Sequence, residues 1–237
     1  MTNNNFKLRF KFEKGEEVKF ISHLDIVRLY QRAARRASLP MAYSNGFNPH
    51  QLMTFANPLS LGMTSIGEYG EAEFTQYITP SEFINRINEE LPTGAKILGA
   101  TECKAGGKSA MAKVSAALYY AFFDDAKDFE KIKSDIEAFM AQKEIIVSKK
   151  TKNSVKDTDI RPDIFDIKAL EYGGKEGLSL FLASGSVRNL KAGLVVFSLC
   201  GFSGVEFNKF KIKYKRIDVF YNDNGGYRNL LDIGTML

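Results

Sequence analysis

Only two histidines occur in the chain, His23 and His50, and a run of four arginines lies between them. Imidazole exchanges protons near neutral pH, so two of them beside a tyrosine could run metal-independent, general acid–base cleavage of RNA. Nothing in their spacing shows that they meet. The arginines are Arg28, Arg32, Arg35 and Arg36. On a helix turning 100° per residue they share an arc of roughly 100°, with Asp25 inside it. Ile26, Tyr30, Ala33, Ala34 and Ala37 take the opposite side, and His23 falls there too, placed to pack near Tyr30. A row of planar guanidinium forks suits phosphate. The same row with Asp25, spaced to pair with Arg28 or Arg32, also fits a salt-bridged solvated face.

The helix is followed by Tyr43-Ser44-Asn45-Gly46-Phe47-Asn48-Pro49-His50. Turn residues, two aromatics and a histidine on one loop suit a functional segment carried by a rigid scaffold. Tyr43 and Phe47 could stack on an unpaired base, Ser44 and Asn48 could read its edge, and Gly46 permits a positive φ. The competing expectation is a structural loop with Phe47 buried. A second basic island, Lys209, Lys211, Lys213, Lys215 and Arg216, alternates with Phe210, Ile212 and Tyr214. Period two places its lysines on one strand face, roughly 7 Å apart. Lys211 and Lys213 would lead in following a phosphate backbone, and an edge strand guarded by lysines fits equally well.

Other chemistries find no support. Cys103 and Cys200 stand 97 positions apart. They suit a reducing cytoplasm better than a disulfide framework, and two cysteines do not complete an iron–sulfur site. His23, His50, Cys103 and Cys200 have no zinc-ligand spacing, so no metal and no cofactor is expected. Gly106-Gly107-Lys108-Ser109 echoes the end of a phosphate loop but has Glu102 where its first glycine belongs, and it is expected to be a linker. No long apolar run suggests a membrane span, and the first residues lack the apolar core of a secretory signal. The formal net charge is +5, and residues 1–50 alone, with nine basic and four acidic side chains, hold all of it. Local excess of this kind suits a polyanion.

The elements that would hold these residues follow from periodicity and punctuation. Phe6–Phe12 alternates apolar and basic residues, as a half-buried strand with its basic side outward would. Ser22 with Asp25 opens a helix that runs to about Ala37, short of Pro40. Short strand pieces follow over 41–56, and a strand over 67–74. A helix opens at Thr79-Pro80-Ser81-Glu82 and ends near Leu91, and a strand covers 96–103. The order is βαββαβ. After the linker it starts again, with strands at 116–123 and 144–148 around a helix at 127–141. A polar loop covers 149–163, and paired strands follow at 164–172 and 178–183. A helix at 187–200 and a strand at 210–220 complete the series. The expected fold is α+β, two tandem ferredoxin-like units with antiparallel sheets, residues 1–104 and 112–237.

The stretch from Phe20 to Glu71 resembles the N-terminal signature of the radical-SAM-linked protein family, a bacterial domain of unknown function. The residues that carry the resemblance are Lys19–Asp25, Arg32–Pro49, Pro58–Gly62 and Glu68–Tyr69. Lys19 stands where that family usually has arginine. The resemblance implies a partner more than an activity: a radical-SAM protein encoded nearby, with a cobalamin-binding-like region, served by this chain as a companion. The expectation is a cytoplasmic, non-catalytic RNA-binding or substrate-presenting partner of a radical-SAM enzyme that modifies tRNA or rRNA. Two alternatives stay open, an endoribonuclease using His23 or His50 and a protein-only adaptor. Neither the substrate nor the oligomeric state is legible.

Overall fold

A computed structural model describes residues 6–103, 109–150 and 155–234 of the chain. The described residues form a mixed α+β structure with mostly antiparallel strands and five α-helices. They divide into two compact units, one of residues 1–115 and 218–237, the other of residues 116–217. The sequence suggests a simple division near 104–112. The structure instead returns the last twenty positions to the first unit.

The first unit begins with β1 (Phe6–Lys14), α1 (His23–Arg36), β2 (Met53–Phe55), β3 (Thr64–Phe74), α2 (Pro80–Glu90), β4 (Ile97–Glu102) and the short α3 (Ala110–Lys113). Its strands lie in the order β4-β1-β3-β2, each antiparallel to its neighbour. Helix boundaries follow from capping. Ser22 Oγ accepts from the Asp25 N–H and Thr79 Oγ1 from the Glu82 N–H, each satisfying a donor that the helix leaves unpaired. Pro80 occupies the first turn, where its missing N–H costs nothing. The expected 106–108 segment of the linker lies outside the described residues.

One face of β1 carries Leu8, Phe10 and Phe12 into a core with Ile26 and Tyr30 of α1 and with Phe83 and Ile87 of α2. Phe10 stacks on Tyr30 at 6.0 Å, and Phe55 meets Phe12 edge-on at 5.5 Å. Such aromatic pairs add roughly 0.5–1.5 kcal/mol each beyond the area they bury. The Tyr30 hydroxyl donates to the Ala95 carbonyl at 2.8 Å, so its one polar group is satisfied inside. A side chain at Gly70 would run into the Phe10 ring, which is why β3 has a glycine there.

The other face of β1 corrects the expectation of an outward basic side. Lys7, Arg9 and Lys11 stand across from Glu73, Glu71 and Tyr69 of β3. Arg9 Nη2 lies 2.6 Å from Glu71 Oε1, and these side chains are only 3% and 2% exposed. Lys7 Nζ reaches Glu71 Oε2 at 2.8 Å, the Ala110 N–H donates to Glu71 at 3.0 Å, and Arg9 Nη1 donates to the Leu230 carbonyl at 3.0 Å. Lys11 pairs with Asp218 at 2.6 Å, and the Tyr69 hydroxyl bonds Asp218 at 2.7 Å. The basic residues of β1 face an acidic strand and a returning C-terminal segment, not solvent.

The second unit takes up β5 (Val114–Phe123) from Ala116 and continues with α4 (Ala126–Met140), β6 (Ile146–Lys150), β7 (Val155–Asp159), β8 (Ile164–Tyr172), β9 (Lys175–Ala183), α5 (Ala192–Phe202) and the first half of β10 (Ile212–Asp223). Its main sheet has the order β10-β5-β9-β8, while β6 and β7 pair separately as a ribbon. The sequence reads 149–163 as a polar loop. Cross-strand pairing with β6 makes a strand of its middle part despite the weak apolar pattern. From Asp218 the chain is again in the first unit, where β10 turns back on β11 (Gly226–Asn229).

Burial alone would raise the Glu71 carboxyl, but hydrogen bonds from Lys7 and Arg9 and their charges outweigh it and hold it below the usual carboxylate range. Glu71→Ala leaves Arg9 buried without its charge partner and should cost about 3 kcal/mol or more by urea denaturation. Because the folded carboxyl binds its proton later than the unfolded one, its contribution is present at neutral pH and is lost as pH falls through the acid range below about 4. That acid loss should be smaller in Glu71→Gln.

Candidate nucleic-acid interface

Helix α1 presents its arginines as its period dictates. Ile26, Tyr30, Ala33 and Ala34 are buried, and Arg28, Arg32, Arg35 and Arg36 are exposed. Two of the four are held by carboxylates. Arg28 Nη1 lies 3.1 Å from Asp25 Oδ1, and Arg36 Nε lies 2.7 Å from Glu90 Oε2. Arg32 and Arg35 make no ion pair among the described residues. The Asp25 carboxyl sits below its usual range, first through the Ser22 hydroxyl and next through Arg28. The i,i+3 pairing anticipated from spacing is therefore present, and it occupies one guanidinium of the row.

After the helix, Tyr43 bridges to Gln51 and Ser44 closes a loop. The Ser44 N–H donates to the His50 carbonyl at 2.8 Å, and the His50 N–H donates to Ser44 Oγ at 3.1 Å. Ser44 Oγ also lies 2.8 Å from His50 Nδ1. Ser44 and His50 thus form a clasp at the neck, and Asn45, Gly46, Phe47, Asn48 and Pro49 are exposed beyond it. Gly46 has φ +115°, a conformation that L side chains rarely adopt. Phe47 is fully exposed, so the alternative of a buried ring does not hold. His50 braces the loop, and Tyr43, half exposed, takes a long hydrogen bond from Gln51 at its hydroxyl.

His23 is elsewhere. It lines a small cavity with Phe12, Lys14, Ile26, Phe55, Ala56, Asn57, Leu59, Glu68 and Tyr69. Its ring meets Phe55 edge-on at 6.4 Å, not Tyr30 as the helix wheel suggests. His50 is not among the lining residues, and among the described residues no hydrogen bond or ring contact joins the two imidazoles. Lys14, Asn57 and Glu68 are not among the site residues that the sequence suggests. The signal lies in β1 continuing two residues beyond Phe12, and in Glu68 standing opposite Phe12 on β3. Lys14 Nζ donates to the Ile21 carbonyl at 3.0 Å.

The second basic island belongs to the other unit. Strand β10 starts at Ile212, so Lys209 and Lys211 precede it and the expected four-lysine face is cut to two. Lys213 Nζ lies 3.7 Å from Asp124, Lys215 sits over the Tyr172 ring at 5.3 Å, Lys211 is exposed, and Arg216 is buried. Among the described residues no group of three or more His, Cys, Asp or Glu side chains could hold a metal ion, and no helix is long and apolar enough to cross a membrane.

Fold and surface together define an α+β protein with an arginine-bearing helix and an aromatic loop. Residues 7–192 match the model of a family described as uncharacterized and conserved in bacteria, DUF2344, and the chain belongs to that family. The match carries no link to radical-SAM proteins. No curated protein matches the chain. Among solved structures, an unknown protein from Galdieria sulphuraria is similar over 91% of this chain and 99% of its own, at 11% identity and a TM-score of 0.25. A likeness that slight carries neither fold nor function.

Burial lowers the His23 imidazole, with Glu68 opposing and Lys14 adding to that shift. The unfolded chain therefore takes up the proton first as pH falls. Stability to urea should decline from pH 7.5 to pH 5, about a unit or so to either side of the ordinary imidazole value, and His23→Gln should flatten that decline. An equal decline in the variant would assign it to other groups.

Proposed function

We propose that the chain is a non-catalytic RNA-binding or substrate-presenting protein, with α1 and the loop after it as the contact surface. The fully exposed Phe47 on the loop clasped by Ser44 and His50 carries this reading. A presented ring stacks on an unpaired base without regard to sequence. Arg32 and Arg35 supply charge for phosphates, and Arg28 and Arg36 add to it once they exchange carboxylates for phosphate. The partner to which RNA is presented is a radical-SAM protein, in the bacterial cytoplasm. That part rests on the resemblance of the Phe20–Glu71 stretch alone. The strand orders β4-β1-β3-β2 and β10-β5-β9-β8 support reading the units as a tandem of ferredoxin-like βαββαβ folds, the second with the β6–β7 ribbon inserted.

The half-buried surroundings of His23 favour a second reading, an endoribonuclease in which His23 acts without His50. Incubation with structured RNA separates the two. Cleavage that disappears in His23→Ala would replace the binding reading with the enzymatic one.

Fluorescence anisotropy with short single-stranded RNA tests the binding reading. Phe47→Ala should weaken affinity about fivefold or more, the usual worth of one stacked base. Arg32→Gln and Arg35→Gln should each reduce the slope of log affinity against log salt by about one. RNA that does not bind, or binds with no salt dependence, contradicts the reading.

A further inference from the structure

The main sheet of the second unit has two unlike sides. On one, Phe123 of β5 meets Phe129 of α4 at 5.6 Å, and Lys133 of α4 reaches Glu176 of β9 at 4.0 Å. Leu178, Leu180 and Leu182 of β9 are buried there, and Tyr214 of β10 turns toward Gly193 of α5. Side chains alternate along a strand, so the residues between these take the side away from the helices. On that side Tyr120 stands opposite Ser179, Phe122 opposite Gly177 and Tyr172 opposite Lys175.

The three aromatic rings form one half-buried cluster. Tyr120 meets Tyr172 edge-on at 4.8 Å, and Phe122 lies 6.3 Å from Tyr120 and 6.2 Å from Tyr172. A side chain at Gly177 would run into the Ala121 carbonyl, so none stands beside Phe122. Cations border the rings. Lys215 lies 5.3 Å from the centre of the Tyr172 ring, and Lys175 and Lys213 are exposed on the same side. The β8–β9 hairpin sorts its charge: Glu171 and Glu176 pair across it on the helix side, and Lys175 goes to the rings. Two carboxylates lie near these lysines, Asp166 held by Lys168 at 2.7 Å and Asp124 at 3.7 Å from Lys213.

We propose that this sheet face, with Tyr120, Phe122 and Tyr172 as its platform and Lys175 and Lys215 beside them, binds single-stranded nucleic acid, in addition to α1 and its loop. Unpaired bases stack on aromatic side chains carried by a four-stranded sheet, and lysines follow the phosphates. The other occupants fit less well. An apolar peptide would cover the lysines without pairing them, and a duplex keeps its base faces hidden. A single strand brings rings and phosphates together. The proposal goes beyond the Phe47 surface and does not require it.

The test uses the full chain carrying Phe47→Ala, so that the loop contributes less. Photocrosslinking to 4-thiouridine-substituted single-stranded RNA, mapped by mass spectrometry, should mark peptides that contain Tyr120, Phe122 or Tyr172. In anisotropy, Tyr120→Leu should weaken this RNA about fivefold or more, the worth of one stacked base. Tyr172→Phe keeps the ring and should leave affinity unchanged, and Lys215→Gln should lower the salt slope by roughly 0.7. Lys215→Gln and Tyr172→Leu serve if Tyr120→Leu does not fold by circular dichroism. Crosslinks confined to α1 and residues 43–50, unchanged affinity in the leucine variants, or equal competition by duplex RNA overturns the proposal while the Phe47 reading stands. RNA that does not bind the unsubstituted chain overturns both.

Discussion

Arg9 and Glu71 meet across β1 and β3 on the face turned away from the aromatic core, and the first unit is arranged to keep them together. An unpaired charge there would be far costlier than the pair. Glu71 takes Lys7, Arg9 and the Ala110 N–H, and Arg9 reaches the Leu230 carbonyl, 221 residues away in sequence. The pair thereby ties the first strand to the last segment of the chain. Residues 218–237 belong to the first unit and not the second. A buried pair contributes less to net stability than to register, since a one-residue slip of β1 would leave Arg9 among Phe10's neighbours.

That arrangement frees the opposite face of the sheet for α1. Leu8, Phe10 and Phe12 seat Ile26 and Tyr30, which turns the arginines to solvent and sets where the chain emerges after the helix. The Ser44–His50 clasp then shapes the loop, and Phe47 stands outside it. The candidate surface is therefore a by-product of which side of β1 is apolar. The cavity arises at the end of the same strand, where Lys14 follows Phe12 into the packed layer.

Much of this was legible in residue order. Ser22 with Asp25 and Thr79 with Glu82 mark the helix starts because capping is local, and the arginine face follows from period alone. Spacing allows Asp25 to pair with Arg28 or Arg32, and the structure pairs it with Arg28. The fate of the basic side of β1 was not legible, because Glu71 lies 62 residues from Arg9 and only the sheet brings them opposite. For the same reason the cavity is not legible in the sequence, since Lys14, His23, Asn57 and Glu68 come from four separate segments. The β7 strand was hidden by its polar composition, and its pairing with β6 decides it. His50 stands at the neck of the loop, its imidazole within hydrogen-bond distance of Ser44.

The most direct measurement is a backbone-amide NMR titration of the protein with short single-stranded RNA. The account predicts shifts concentrated at residues 44–50 and along the Arg28–Arg35 face of α1, growing together to saturation. Saturable binding that leaves those amides unmoved and shifts others would contradict it.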